Sequence, residues 1–202
     1  MRVNKLAYLN FYFLLAAAIS LIACATPKYK NPHVKIRTAY GTIEAELYPD
    51  QAPKSVAAFL SYVDSGFYNN ASFYRVLNDE NQATGVPHSQ LIQGGLWGTN
   101  DNRSKTVQPI PHETTQQTGL HHQNGTLSLA RREPGTAGTE FFICIGAQPG
   151  YDYGGSNDPD GQGYAAFGKV TKGMDIVTKI HRFPTNEELF NPPIKIIAIE
   201  RL

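Results

Sequence analysis

The 202 residues contain two cysteines, Cys24 and Cys144, and one tryptophan, Trp97. Two cysteines in these places make no disulfide framework. Cys24 ends an N-terminal apolar segment, and Cys144 lies in an apolar run, where a thiol acts as a small core hydrophobe. An excess of either charge is also missing. Eighteen basic and 17 acidic residues leave a formal net charge of +1. No basic run is present to neutralise phosphates, so nucleic acid is not an expected partner. There is no phosphate-binding loop, no nucleophile elbow and no internal repeat. His112, His121 and His122 lack the cysteine or carboxylate spacing of a zinc site, and adjacent histidines do not readily face one ion. Neither a metal nor a cofactor is expected. What the chain does have is 18 glycines, 13 prolines, 11 tyrosines and 10 phenylalanines, which point to many turns and a mainly β fold.

The N-terminus reads as a targeting segment. Arg2 and Lys5 give a positive end, and Leu6 to Ile22 is mostly apolar, so residues 1–23 are expected to be a signal peptide. Leu21-Ile22-Ala23-Cys24 resembles the lipobox of bacterial lipoproteins, which implies cleavage before Cys24 and lipidation of its thiol. An ordinary signal peptide or an uncleaved anchor is the alternative. Residues 24–32, with Pro27 and Pro32, would form a short lipidated tether. Ala25 stands where an inner-membrane retention signal of enteric lipoproteins would be Asp. The expectation is therefore an outer-membrane anchor facing the periplasm, with inner-membrane retention the alternative.

A folded domain is expected over residues 33–202. Val34, Ile36 and Thr38 alternate with charged residues, Tyr40-Gly41 marks a turn, and Ile43, Ala45 and Leu47 alternate again, which makes a hairpin. Asp50 is the predicted N-cap of a helix with Pro53 in its first turn. Val56, Phe59, Leu60 and Val63 give that helix one apolar face, and Gly66 ends it. Ser72 to Leu77 is a predicted strand on which Phe73, Arg75 and Leu77 share a face. An arginine between two apolar residues is either a solvent-facing side chain or a charge held at the rim of an apolar groove. Gln90 to Gln93 is a short strand before Gly94-Gly95. Gly98 to Leu120 is a long irregular segment of the kind that is functional or packed over the body. Tyr164 to Val170 is a strand, Gly173 to Ile180 a short helix, and Ile194 to Leu202 a closing strand.

The chain is organised around Asn124 to Ile145. Leu127 and Leu129 alternate with polar or small residues, and Phe141 to Ile145 is an apolar run of strand formers. Between them lies a polar loop, Arg131 to Glu140, broken by Pro134, Gly135 and Gly138. Such a stretch fits a peptide-binding lip on a rigid scaffold, and it fits equally a β-hairpin with no function.

Four pieces then fall in one order: F-Y-R-V at Phe73–Val76, Q-L-I-Q-G-G at Gln90–Gly95, G-T-L-S-L-A at Gly125–Ala130, and T-E-F-F-I at Thr139–Ile143. Together they resemble the cyclophilin-type peptidyl-prolyl cis-trans isomerases. The opening hairpin and helix, and F-G-K-V and G-M-D-I-V near the end, resemble the same family. The resemblance implies a closed eight-stranded antiparallel β-barrel capped by two α-helices, acting as a monomer on proline-containing polypeptides. Arg75 matches the family's catalytic arginine and Gln93 the glutamine before Gly-Gly. Phe142 matches the aromatic floor of the proline pocket, Leu91 takes the place of its usual Met, and Ala130 matches the backbone position that pairs with substrate. Phe73, Arg131, Glu140, Tyr153 and Tyr164 complete the expected substrate-binding set. Several positions depart from the pattern: Gln90 for Phe, Arg131 for Asn, Glu140 for Gln and Tyr164 for His. The pocket-side Trp has no counterpart, with Tyr151 or Tyr153 nearest its place.

The chemistry suits these residue types. Peptide-bond rotation must overcome about 18–20 kcal/mol of barrier because the amide is conjugated. No bond breaks, so no nucleophile is required. An apolar pocket holds the proline ring, and a permanent cation that donates to the prolyl nitrogen draws its lone pair out of conjugation. Gln93 can hydrogen-bond the rotating carbonyl oxygen. The expected activity is isomerisation of Xaa-Pro bonds in envelope proteins, assisting their folding. The rival is a catalytically weak or silent binding module that uses the same groove.

Overall fold

Alternation of apolar and polar residues sets the scaffold from its first hairpin onward. In β1 (His33–Thr38) and β2 (Gly41–Leu47), Val34, Ile36, Ile43, Ala45 and Leu47 are fully buried while the residues between them face outward. Seven further strands follow: β3 (Ser72–Leu77), β4 (Leu91–Gly95), β5 (Thr126–Leu129), β6 (Phe141–Cys144), β7 (Ala165–Lys172), β8 (Thr185–Asn186) and β9 (Leu189–Arg201). The order β1-β2-β7-β5-β6-β4-β3-β9 closes through antiparallel pairing of β9 with β1, giving an eight-stranded barrel. β8 lies outside the closed ring and pairs only with the start of β9. The computed structural model describes residues 29–85 and 88–202. The expected signal peptide, Cys24 and most of the tether lie outside the described residues.

Helix α1 (Pro53–Asp64) buries Val56, Phe59, Leu60 and Val63, as its periodicity requires. Phe59 packs its ring on Phe141 and Phe167, with centroids 5.5 and 5.0 Å away. Burial of side chains of this size contributes about 1.5–3 kcal/mol each. The N-cap is not Asp50. It is Ala52, whose side chain cannot cap. The orphan N–H groups of Lys54 and Ser55 donate instead to the Glu113 carboxylate at 3.0 and 2.8 Å, and the Ser55 hydroxyl adds a third bond at 2.7 Å. A buried carboxylate from the distant 98–120 segment thus does the work that sequence assigned to a local residue. The C-terminus follows expectation. Gly66 adopts φ +65°, Gly66 N–H donates to Val63 and Phe67 N–H to Tyr62, while Phe67 stacks on Tyr62 at 5.4 Å.

The 98–120 segment contains two single-turn helices, α2 (Asp101–Ser104) and α3 (Thr115–Thr118), the latter with a capping box between Thr114 and Gln117. Helix α4 (Met174–His181) buries Val177 and Ile180. Among the described residues there are therefore four α-helices, of which α1 and α4 are the two that were expected. The closing strand begins five residues earlier than predicted, at Leu189, because the segment pairs with β3 and with β8 before it reaches β1.

β3 also differs from expectation. Its ladder shifts register between Phe73 and Arg75. An extra residue at that point breaks strict alternation. Phe73 and Val76 both point into the barrel core, and Arg75 and Leu77 are left on the outer face.

Candidate active site

The site forms on the outside of the barrel, from residues that the pleat turns away from the core. On β6, Phe141 and Ile143 point inward, while Phe142 and Cys144 join Leu77, Leu91 and Tyr151 in a second apolar cluster. The strand registers place Arg75 opposite Gln93, Gln93 opposite Phe142, and Phe142 opposite Ser128. One row across β3, β4, β6 and β5 therefore carries the cation, the amide and the aromatic ring. Over it opens a cleft of about 500 Å³, lined by Arg75, Leu91, Gln93, Ala130, Phe142, Tyr151 and Tyr164 among others.

Arg75 is part-exposed at the rim. Its Nη1 donates to Gln93 Oε1 at 3.1 Å, and its Nε donates to Glu188 Oε2 at 2.7 Å, with Nη2 also 2.7 Å from that oxygen. Gln93 Nε2 in turn donates to the Tyr74 hydroxyl at 2.6 Å. This chain fixes the amide orientation and holds the guanidinium against it. The floor is Phe142, 2% exposed, with Tyr151 and Tyr164 at centroid distances of 5.3 and 5.5 Å. Three aromatic rings and Leu91 suit a proline ring, which has no polar group of its own to satisfy.

The expected binding residues divide. Leu91, Ala130, Phe142 and Tyr164 line the cleft. The N–H of Ala130 donates to the Glu140 carbonyl at 2.9 Å. Arg131 lines it too, but its donors are spent on the 158–163 loop: Nε on the Gly163 carbonyl at 2.8 Å, and the two Nη groups on Asp160 at 2.7 and 2.9 Å. Its side chain is 1% exposed, and the guanidinium lies over the Tyr164 ring. Arg131 builds the wall. Tyr164 in the place of His fits that wall, since its hydroxyl donates to Asp158 at 3.2 Å. Burial and the neighbouring Asp158 push its phenol up to about 12, so it stays protonated.

Three expectations are corrected. Phe73 is fully buried in the barrel core against Phe141, because of the register shift in β3, and does not line the cleft. Tyr153 is 43% exposed and outside the cleft, and Tyr151 fills that place. Glu140 also lies outside the cleft lining. Its Oε1 accepts from Leu96 N–H, Trp97 N–H and the Thr139 hydroxyl at 2.9, 3.3 and 2.9 Å. It fits there because Gly95 has no Cβ, which would overlap the carboxylate. Burial raises the Glu140 carboxyl above its usual range, more than the hydrogen bonds lower it.

Behind Phe142, His122 Nδ1 lies 2.7 Å from Asp152 Oδ1 and Nε2 lies 2.9 Å from Ser128 Oγ. The connectivity is that of a nucleophilic triad. His122 and Ser128 are both fully buried, so no substrate carbonyl reaches the hydroxyl. Burial holds the imidazole below its usual range, against the pull of Asp152. The array braces the floor, since the His122 ring stacks on Phe142 at 5.9 Å. Burial likewise pushes the Cys144 thiol up and leaves it unreactive.

Leu77 lines the cleft on the face it shares with Arg75, as strand alternation predicted; Glu188 carried no sequence signal and arrives from a hairpin 113 residues away in the chain.

Residues 33–201 match the cyclophilin type peptidyl-prolyl cis-trans isomerase/CLD family model. A peptidyl-prolyl cis-trans isomerase of Acinetobacter baylyi is 38% identical over 176 residues, covering 84% of this chain and 85% of that one. Peptidyl-prolyl cis-trans isomerase A of Dickeya dadantii is 33% identical over 195 residues, covering 93% and 94%. A crystallised cyclophilin type peptidyl-prolyl cis-trans isomerase of Cryptosporidium parvum shares the fold with a TM-score of 0.64, over 85% of this chain and 98% of that one, at 24% identity. By the family match and by its bacterial relatives, this chain belongs to the cyclophilin-type peptidyl-prolyl cis-trans isomerases.

Proposed function

We propose that this isomerase turns Xaa-Pro bonds in proteins of the bacterial cell envelope, with Arg75 as the catalytic cation and Gln93 as its partner at the rotating carbonyl. The observation that carries this reading is the row Arg75–Gln93–Phe142, which sets a permanent positive charge beside a dry aromatic floor. The proline ring seats on Phe142, Leu91 and Tyr164. A donor on Arg75 meets the prolyl nitrogen as it pyramidalises. That interaction is worth most at the twisted state, where the nitrogen lone pair has left conjugation, and so it lowers the barrier. A protease-coupled assay on an Ala-Pro-Phe-type peptide, using residues 33–202, tests this. Acceleration above background at micromolar protein is expected, and its absence would favour the silent binding module.

The envelope location rests on the sequence of the leader, and on Cys24 in particular. A lipid on Cys24 would hold the barrel at a membrane surface, since acyl chains contribute about 0.8 kcal/mol per buried CH₂. Cys24→Ser is expected to leave the precursor unprocessed or the product water-soluble. Wild-type protein found wholly in the periplasmic fraction, with no acyl mass on Cys24, would refute the anchor.

A further inference from the structure

The Glu188 carboxylate faces the cleft beside Arg75, and nothing in the isomerisation step as described uses it. It does not reach there by chance of a flexible chain. The β8–β9 hairpin pairs Thr185 with Phe190 and Asn186 with Leu189, and Phe190 is buried in the core. Leu189 is the ladder partner of Arg75 on β3, and Val76 N–H donates to the Glu188 carbonyl at 2.8 Å. Asn81 Nδ2 bridges the Val76 and Glu187 carbonyls at 3.0 and 3.2 Å. The backbone on both sides of Glu188 is therefore tied to the strand that carries the arginine.

A guanidinium has five N–H donors in one plane. Glu188 Oε2 lies 2.7 Å from both Nε and Nη2, and Gln93 Oε1 lies 3.1 Å from Nη1. Two partners on two edges fix the plane and leave one N–H on each terminal nitrogen uncommitted. Gln93 alone would hold a single corner and leave the long side chain free to swing. We infer that Glu188 is a positioning residue for catalysis: it holds the Arg75 fork in the orientation that presents its remaining donors to the prolyl amide. The inference rests on the assignment of Arg75 as the catalytic cation.

The test compares wild type, Glu188→Ala, Glu188→Gln, Arg75→Ala and the Arg75→Ala/Glu188→Ala double variant in the peptide assay. Loss of orientation should lower kcat about 10-fold in Glu188→Ala with KM nearly unchanged. Glu188→Gln keeps an acceptor oxygen and should recover part of the loss. In the Arg75→Ala background, Glu188→Ala should cost nothing further, because the group it orients is gone. In an NMR spectrum of the side-chain N–H region, the Arg75 Nε–H resonance should be sharp and displaced in wild type. In Glu188→Ala it should move to the solvent-averaged position while the backbone amides stay in place. A folded Glu188→Ala protein that works at the wild-type rate or faster would overturn the positioning role, as would an equal further loss in the Arg75→Ala background. An active wild type with an indifferent Glu188 sinks only this inference. An inactive wild type sinks the isomerase reading and this inference with it.

Discussion

Arg75 brings a positive charge on a planar fork that one lysine ammonium cannot copy. Arg75→Ala should lower kcat/KM by roughly 10²–10³-fold, or about 2.7–4 kcal/mol, as expected for loss of one preorganised donor. Arg75→Lys should recover only part, because an ammonium cannot serve Glu188, Gln93 and substrate in one plane. Because Arg75 lies at the rim, the thermal midpoint of Arg75→Ala should move by no more than a few degrees; isomerisation at the wild-type rate would remove Arg75 from the mechanism. Glu140 behaves differently, because it is partly buried and burial raises its carboxyl. A raised carboxyl means that the folded state holds the proton more tightly than the unfolded chain does. The cost of burying the anion is then absent below the unfolded value, about 4.3, and fully present above the folded one. Glu140→Gln keeps an Oε1 acceptor for Leu96, Trp97 and Thr139 without the charge. It should melt higher than wild type near neutral pH, and the difference should close as pH falls toward about 4. A gain that is constant with pH would show that the charge is not the cause.

The helix α1 owes its start to a residue distant in the chain and its end to residues that directly follow it. Glu113 satisfies two backbone N–H groups and the Ser55 hydroxyl, all of which face a buried carboxylate. Glu113→Ala leaves those donors dry and should destabilise the fold by about 1–3 kcal/mol in a denaturant titration. Asp50→Ala should change stability by less than about 0.5 kcal/mol, because the Asp50 side chain caps nothing. At the other end, a Cβ at Gly66 would sit in the left-handed region and meet the Asn69 amide at 2.9 Å. The β8–β9 hairpin is the other element with a consequence for function, since it delivers Glu188 to β3. The pairing of β9 with β3 is what gives this hairpin a role.

At the scale of the molecule, the two ends of the domain close the barrel on each other. Val34 pairs with Arg201, Ile36 with Ile199, and Leu202 N–H donates to the His33 carbonyl at 3.0 Å. Removing residues 196–202 strips Ile196 and Ile199 from the core and leaves β1 with an open edge, because all of its β9 partners lie between Ile196 and Arg201. That variant should lose the cooperative thermal transition, whereas removal of Leu202 alone should not. The two faces of β6 separate stability from activity. Phe141→Ala and Phe142→Ala should each cost about 3–5 kcal/mol, because both rings are buried. Only Phe142→Ala also removes the proline floor, so a kcat/KM normalised to folded protein should fall for Phe142→Ala and hold for Phe141→Ala.

Periodicity by itself determined the β1–β2 hairpin and the buried face of α1. Each of those depends on neighbours within a turn or a strand, where side-chain direction follows from backbone geometry. The order of the four motifs marked Arg75, Gln93, Leu91 and Phe142, and strand register brings all four to one cleft. The rest needed contacts between distant parts of the chain. One bulged residue in β3 turned Phe73 into the core, and a missing Cβ at Gly95 drew Glu140 under the loop. Arg131 found its partners in a loop some 30 residues further on. Glu113 capped a helix 58 residues before it, and Glu188 met Arg75 across 113 residues. A lone charge in a sequence carries no period and no local partner. Where it lands is decided by the free energy of burying or pairing it, and only the closed barrel supplies the groups that do so.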